Sequence, residues 1–151
     1  MIRLRPHHLI DIIRNIGQER PVVPHPYGHA QHLIIQTLLK GADHQIMLVD
    51  ESDDLCLPCS HLDENGHCGD VLSQLEVSVS KQKYNEALDQ RLFHFLQLEP
   101  GTVVSLGSFL VMVQGRFEEL VPLCLHPLED FNKRRDGLRK GLVILKSISY
   151  H

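Results

Sequence analysis

The amino-acid sequence predicts an α+β fold, a mainly helical single domain over residues 1–151 with a small sheet and a cysteine-rich metal-binding loop. Three observations support this prediction. Apolar residues recur at helical spacing in several segments, short apolar runs of strand length lie between them, and three of the four cysteines fall in one turn-rich segment. A chain of 151 residues can bury a core, so it needs no metal merely to fold.

The first third of the chain shows a strand-like segment and two helical patterns. Ile2 and Leu4 alternate with arginines, which predicts a short strand, and Pro6 fits the first position of a helix that Gly17 ends. The apolar stripe of this helix consists of Leu9, Ile12, Ile13 and Ile16. A proline-rich loop over 18–28 precedes a second predicted helix over 29–40, whose buried side consists of Ala30, Leu33, Ile34, Thr37 and Leu38.

The sequence predicts a short strand over 45–49 and a loop over 53–69. The remaining predicted elements follow that loop. A third helix is expected after Ser80, and its apolar stripe consists of Tyr84, Ala87, Leu88, Arg91, Leu92 and Phe95, with the stem of Arg91 along the edge. Residues 102–114 fit a strand or a helix, and 117–125 fit a helix interrupted by Pro122. The last helix is predicted over 128–146, with Phe131, Leu138, Leu142 and Leu145 on one face. Gly137 and Gly141 weaken it by about 1 kcal/mol each relative to alanine.

The cysteines form the main chemical motif. Cys56 and Cys59 make a C-x2-C turn, Cys68 follows in the same loop, and Cys124 lies farther along the chain. Four thiolates fit a closed zinc site or an iron–sulfur cluster, so we predict these four residues as metal ligands. Two alternatives stay open: Cys124 is a buried apolar residue replaced by His61, His67 or His126, or the C-x2-C pair is a redox dithiol.

Eleven histidines are an unusual number for a chain with 5% aromatic residues. His7 and His8 open the first helix, and Asp11 lies one turn on, where a carboxylate orients an imidazole and raises its basicity. The spacing leaves two interpretations open: His7 and His8 are metal ligands or a general base, or His7 is solvated and His8 is hydrogen-bonded and half-buried. His29 and His32 share a helix face and suggest a second metal site.

Charge and hydropathy argue against several function classes. The net charge of −4 gives no overall attraction to nucleic acid or to an anionic membrane, although residues from Glu129 onward carry six basic and three acidic side chains. We interpret that basic segment as a solvated helix face. The N-terminus lacks a signal-peptide pattern, and no apolar run is long enough to span a bilayer. We therefore expect a cytoplasmic protein, where thiols stay reduced, acting on an unknown protein or small-molecule partner.

Several segments together resemble the domain-of-unknown-function 1284 family, which consists of short prokaryotic proteins often described as iron–sulfur binding. The similar segments are 4–9 (LRPHHL), 53–59 (DDLCLPC), 61–62 (HL), 66–68 (GHC), 89–92 (DQRL) and 98–101 (LEPG), and Cys124 falls where a C-terminal family cysteine is expected. The resemblance implies a cluster held by the cysteines and a functional role for His7 and His8, which we predict on that basis as cofactor-binding residues.

Three functions follow as hypotheses. The first is a small protein that holds an iron–sulfur cluster through its four cysteines for electron transfer, sensing or structure. The second is a zinc-stapled interaction module. The third is a metal-dependent enzyme that uses His7 or His8 with Asp11 as an acid–base pair. Whether the chain is an enzyme is left open by the sequence.

Overall fold

The fold is mainly helical. A computed structural model describes residues 1–23, 30–41, 44–55, 71–72, 79–124 and 128–148. In chain order its elements are β1 (Ile2–Leu4), α1 (Pro6–Gly17), α2 (Gln31–Leu38), β2 (Gln45–Leu48), β3 (Val71–Leu72), β4 (Val79–Ser80), α3 (Lys81–Leu96), β5 (Val103–Ser105), α4 (Leu106–Gly115), α5 (Phe117–Leu123) and α6 (Phe131–Ile148). The predicted α+β class is confirmed, and none of the described helices has both the length and the apolar character to cross a bilayer.

A three-stranded sheet pairs the N-terminal strand with two later strands of the chain. Its strand order is β1-β2-β5, with β1 parallel to β2 and β5 antiparallel to β2. Leu4, Ile46 and Leu48 are fully buried, so the sheet packs its apolar side chains into the core. The ambiguous segment 102–114 contains both structures, because β5 ends at Ser105, whose hydroxyl accepts the N–H of Ser108 and caps α4.

Glycines let α1 and α6 approach at backbone distance. A Cβ added at Gly17 would overlap the carbonyl oxygen of Gly137, and one added at Gly141 would overlap the carbonyl oxygen of Ile13. From the sequence alone, Gly137 and Gly141 only lower the intrinsic stability of the last helix. The structure shows what offsets that cost, since α1 and α6 can bury their apolar faces against each other only where side chains are absent.

Two helices expose residues that the sequence predicts to be buried. On α2, Leu33 is 55% exposed and Ile35 is buried, because the helix is rotated relative to the predicted stripe. The last helix begins at Phe131 instead of residue 128, since Leu128 has a φ of 68° and Asp130 caps the helix by accepting the N–H of Lys133. Phe131 therefore lies at the exposed first turn.

The buried side of α3 also differs from its prediction. Ala87 and Arg91 are exposed, whereas Asn85 and Asp89 are buried. Periodicity of apolar residues alone cannot place a buried carboxylate, because burial of Asp89 depends on cationic partners elsewhere in the chain.

We predict that Gly141→Ala destabilises the protein by about 2 kcal/mol or more, because the added methyl group must push α1 and α6 apart. Urea unfolding measures the change. Gly115→Ala, also helical but with open space around its Cβ position, is the control and should be neutral or slightly stabilising. Equal stability of the two variants would contradict the close contact between the helices.

Candidate functional site

The N-terminus of α1 is held by two carboxylates from other parts of the chain. Arg5, the residue before the helix, makes no side-chain cap of its own. Its backbone N–H donates to Asp53 Oδ2 at 2.7 Å, and the N–H of His7 donates to Asp89 Oδ1 at 3.1 Å. Both carboxylates are fully buried. They satisfy N–H groups that the helix cannot pair internally, at the end where the helix dipole favours negative charge.

Each of these carboxylates also binds one imidazole. His7 Nδ1 lies 2.8 Å from Asp89 Oδ1, and His8 Nδ1 lies 2.7 Å from Asp53 Oδ2. An ionised carboxylate only accepts, so each Nδ1 carries the hydrogen. The two rings lie 4.2 Å apart, centroid to centroid. In the described residues the hydrogen bonds of both imidazoles use Nδ1, which leaves Nε2 as the nitrogen for an external ligand.

The charges in this cluster compensate one another inside the protein. The guanidinium of Arg5, which is 2% exposed, donates to Asp89 at 2.9 Å. Burial alone would raise the pKa of Asp89, but His7 and Arg5 outweigh it and hold the pKa below its usual value. Burial would likewise lower the pKa of His8, and the carboxylate of Asp53 outweighs it and raises that pKa. These contacts therefore favour the ionised form of Asp89 and the protonated form of His8.

Asp53 connects His8 to the start of the cysteine segment. The N–H of Leu55 donates to Asp53 Oδ1 at 3.1 Å, and the carbonyl of Leu55 accepts the N–H of Ala30 at 3.0 Å. His32 follows two residues after Ala30, and its buried Nδ1 has no hydrogen-bond partner in the part of the chain that the structure describes. Leu55 directly precedes Cys56 in the sequence. Two segments that carry imidazoles are thus hydrogen-bonded to the residues that lead into the C-x2-C motif.

The expected pairing of His7 or His8 with Asp11 is wrong. Asp11 Oδ1 instead lies 3.0 Å from Arg134 Nη2 and 3.6 Å from Arg14 Nη1. Glu129 completes a ring of four ion pairs, at 2.7 Å from Arg14 and 3.0 Å from Arg134. The close approach of α1 and α6 brings two arginines and one carboxylate of this ring together, so Asp11 serves the helix contact rather than an imidazole.

Cys124 lies beside this ring. Its thiol is 2% exposed and donates to the carbonyl oxygen of Leu120 at 3.3 Å. Burial raises the pKa of Cys124, and the nearby guanidinium of Arg134 only partly offsets this effect. Arg134 is itself fully buried. In these surroundings Cys124 is a neutral thiol.

The other predicted ligands lie outside the described residues. These are Cys56, Cys59 and Cys68, together with the histidines His29, His61, His67 and His126. In the part of the chain that the structure describes, no three histidine, cysteine or acidic side chains gather in a group that could hold a metal ion. The metal-ligand prediction for the cysteines therefore stays a prediction, and the described geometry concerns the residues around the start of their loop.

Comparison with protein-family models identifies a family that matches the chain. A family model described as a protein of unknown function (DUF1284) matches residues 27–125. The chain belongs to the DUF1284 family. The predicted family resemblance is confirmed, and Asp53 and Asp89 lie inside the matched region, as do all four cysteines. No curated protein and no solved structure matches the chain.

Asp53 and Asp89 are the site residues that the sequence analysis missed in this DUF1284 chain. Asp53 stands in an acidic run that suggests a solvated loop, and Asp89 interrupts an apolar helix pattern. The sequence carries one signal, because Asp53 and Asp89 are the first residues of two segments that resemble the family, and Asp89 lies between two leucines of the predicted buried side, Leu88 and Leu92. A carboxylate flanked by buried apolar residues on a helix indicates a paired internal charge.

We predict that Asp89→Asn destabilises the protein by about 3 kcal/mol, because Arg5 is left buried without a counter-charge. Urea unfolding near neutral pH measures the effect. Glu119→Gln breaks an exposed ion pair with Arg116 and is the control, with an expected cost of at most about 1 kcal/mol. A similar loss of unfolding free energy in both variants would show that the ion pair between Arg5 and Asp89 is not desolvated in solution.

The ion-pair ring predicts a pH-dependent stability. Burial opposes ionisation of Asp11, but Arg14 and Arg134 outweigh it and hold its pKa below the ordinary value. A lowered folded-state pKa stabilises the protein above the unfolded carboxyl pKa of about 3.9, and this contribution is lost as the pH falls through the folded-state value.

Asp11→Asn should therefore cost about 1–2 kcal/mol near neutral pH and progressively less as the pH falls below about 4. Urea unfolding of both proteins across this range gives the difference. Asp136→Asn, at an exposed position of α6, should change stability little at any pH. A cost for Asp11→Asn that is independent of pH would rule out the contribution from ionised Asp11.

Proposed function

We propose that the chain binds a metal centre through Cys56, Cys59 and Cys68, and that the occupant is an iron–sulfur cluster used for electron transfer, sensing or structure. The sequence motif supports the thiolate ligands, since a C-x2-C turn followed by a third cysteine suits soft metals. The family resemblance to short prokaryotic proteins described as iron–sulfur binding supports a cluster.

The observation that carries the proposal is the set of contacts at the start of the cysteine segment. Asp53 accepts hydrogen bonds from His8 and from Leu55, the residue before Cys56. Metal-binding histidines characteristically donate their other ring N–H to a carboxylate, as His8 does here. His32 lies two residues after Ala30, whose N–H donates to the carbonyl of Leu55, and its buried Nδ1 has no hydrogen-bond partner among the described residues. The donors around this position fit a centre that prefers sulfur and nitrogen ligands.

The residues described here would control the surroundings of such a centre. When bound, a cluster supplies one-electron chemistry at a potential set by charge, hydrogen bonds and solvent exposure. Asp53 and Asp89 hold the imidazoles in one orientation, and Arg5 balances the negative charge of Asp89. Leu4 and Leu9, which flank this polar cluster along the chain, are fully buried.

A zinc-stapled interaction module is the second candidate. It is favoured by the carboxylate-bound imidazoles, because zinc accepts closed sites of mixed cysteine and histidine ligands. The two candidates differ in a directly observable property, since an iron–sulfur cluster is coloured and zinc is not.

We expect anaerobically purified protein to be brown, with iron and sulfide in comparable amounts, and Cys59→Ser to lose most of the metal. Elemental analysis and visible absorption measure both properties, and thermal unfolding establishes that the variant is folded. Colourless protein with stoichiometric zinc would contradict the iron–sulfur cluster and favour the zinc-stapled module. Unchanged metal content in Cys59→Ser would refute the assignment of the cysteines as ligands.

A further inference from the structure

We propose that a cleft between the C-terminal end of α1 and the first half of α6 binds a small, multiply charged anion that carries several phosphate or carboxylate oxygens. The cleft has a volume of about 650 Å³ and is lined by Gly17, Gln18 and Arg20 on one side and by residues within 128–140 on the other. Sites for small molecules have volumes of about 300–1,000 Å³. The proposal does not depend on the metal centre, because the cleft lies at the other end of α1 from the two carboxylate-bound imidazoles.

Direct contacts between α1 and α6 connect the two sides of the cleft. Gly17 and Gly137 both line it, and a Cβ added at Gly17 would overlap the carbonyl oxygen of Gly137. The side-chain amide of Gln18 donates to the carbonyl oxygen of Lys133 at 3.2 Å. The lining residues therefore belong to helix ends that pack on each other, which is the arrangement that keeps the geometry of a binding site.

The turn that ends α1 places Arg20 at the cleft. Glu19 has a φ of 56°, in the left-handed region that few residues other than glycine adopt. The N–H groups of residues 18–20 donate to the carbonyl oxygens of residues 14–16, in the pattern of a Schellman cap. These bonds pair three of the last carbonyl groups of the helix, which would otherwise present partial negative charge to an anion.

Three cationic side chains line the cleft, and no described residue forms an ion pair with any of them. They are Arg20, Lys133 and Lys140. Burial lowers the pKa of Arg20, and the positive charges of Arg14 and Arg134 add to this effect. An anion beside Arg20 would offset that repulsion.

The acidic side chains of the cleft leave most of this positive charge uncompensated. Glu129 is bonded to the two arginines of the ion-pair ring, and Asp130 accepts the N–H of Lys133. Asp136 is the remaining acidic residue in the lining, so one carboxylate stands against three cations. The cleft therefore has a local positive surplus in a chain whose net charge is −4.

The placement of the three cations favours a ligand with several anionic oxygens over a singly charged ion. Arg20 approaches from the end of α1, whereas Lys133 and Lys140 lie about two turns apart on α6. A guanidinium binds phosphate or carboxylate through two parallel hydrogen bonds, and each lysine adds a point charge on a flexible stem. A ligand with charged groups at both ends can contact all three.

Isothermal titration calorimetry of the full chain with inorganic pyrophosphate tests the site, at a salt concentration of about 0.15 M that screens attraction between separated surface charges. Arg20→Gln should weaken binding by at least about fivefold, and Asp136→Asn should strengthen it. Lys40→Gln makes the same change of charge at an exposed position outside the cleft and should leave binding unchanged. Citrate is the second probe, and the tighter of the two identifies phosphate or carboxylate as the preferred group. Absence of binding by both probes at millimolar concentration, or equal weakening in Arg20→Gln and Lys40→Gln, would overturn the proposal.

Amide NMR during the same titrations locates the bound anion without any substitution. We expect the largest shifts at Gly17, Gln18 and Gly137, which line the cleft. Largest shifts at His7 and His8, or shifts spread evenly over all exposed cationic residues, would show that the anion does not bind in the cleft. Either result leaves the proposed metal centre untouched.

Discussion

The N-terminal turn of α1 imposes the constraint on which the candidate site depends. The first N–H groups of a helix have no partner within it, and here carboxylates from distant segments supply two of those partners. Burying Asp53 and Asp89 is unfavourable unless cations or ring N–H groups surround them. Arg5, His7 and His8 meet that requirement, so the cap of the helix and the imidazole site are one structure.

The other end of α1 depends on a different constraint, the close contact with α6. Gly17 and Gly141 remove the side chains that would separate the two backbones, and Arg134 then becomes fully buried between acidic partners. A helix fixed at both ends presents its first residues in a defined position. This rigidity matters for a binding site, because ligand side chains on firmly packed elements keep their geometry better than side chains on loops.

The sequence predicts the elements of this fold better than its polar contacts. Proline at the first position and the apolar stripe define α1, and the strand over Ile2–Leu4 follows from alternation. The partners of His7 and His8 could not be found in this way. Asp53 and Asp89 lie more than forty residues away in the chain, at separations of 45 and 82 positions, and local periodicity carries no information about such contacts. Asp11 is the carboxylate nearest to the two histidines in the sequence, but it forms ion pairs with Arg14 and Arg134 instead. Sequence distance therefore predicts the wrong partner for the imidazoles.

The ring protonation of His7 and His8 tests the central claim most directly. In metal-free protein, at a pH where both imidazoles are neutral, long-range nitrogen–proton NMR identifies which ring nitrogen carries the hydrogen. Binding of Nδ1 to Asp53 and Asp89 predicts that both rings carry it on Nδ1, with Nε2 unprotonated. Protonation of Nε2 in both rings would contradict the account, because neither imidazole would then present a lone pair to a metal from that atom.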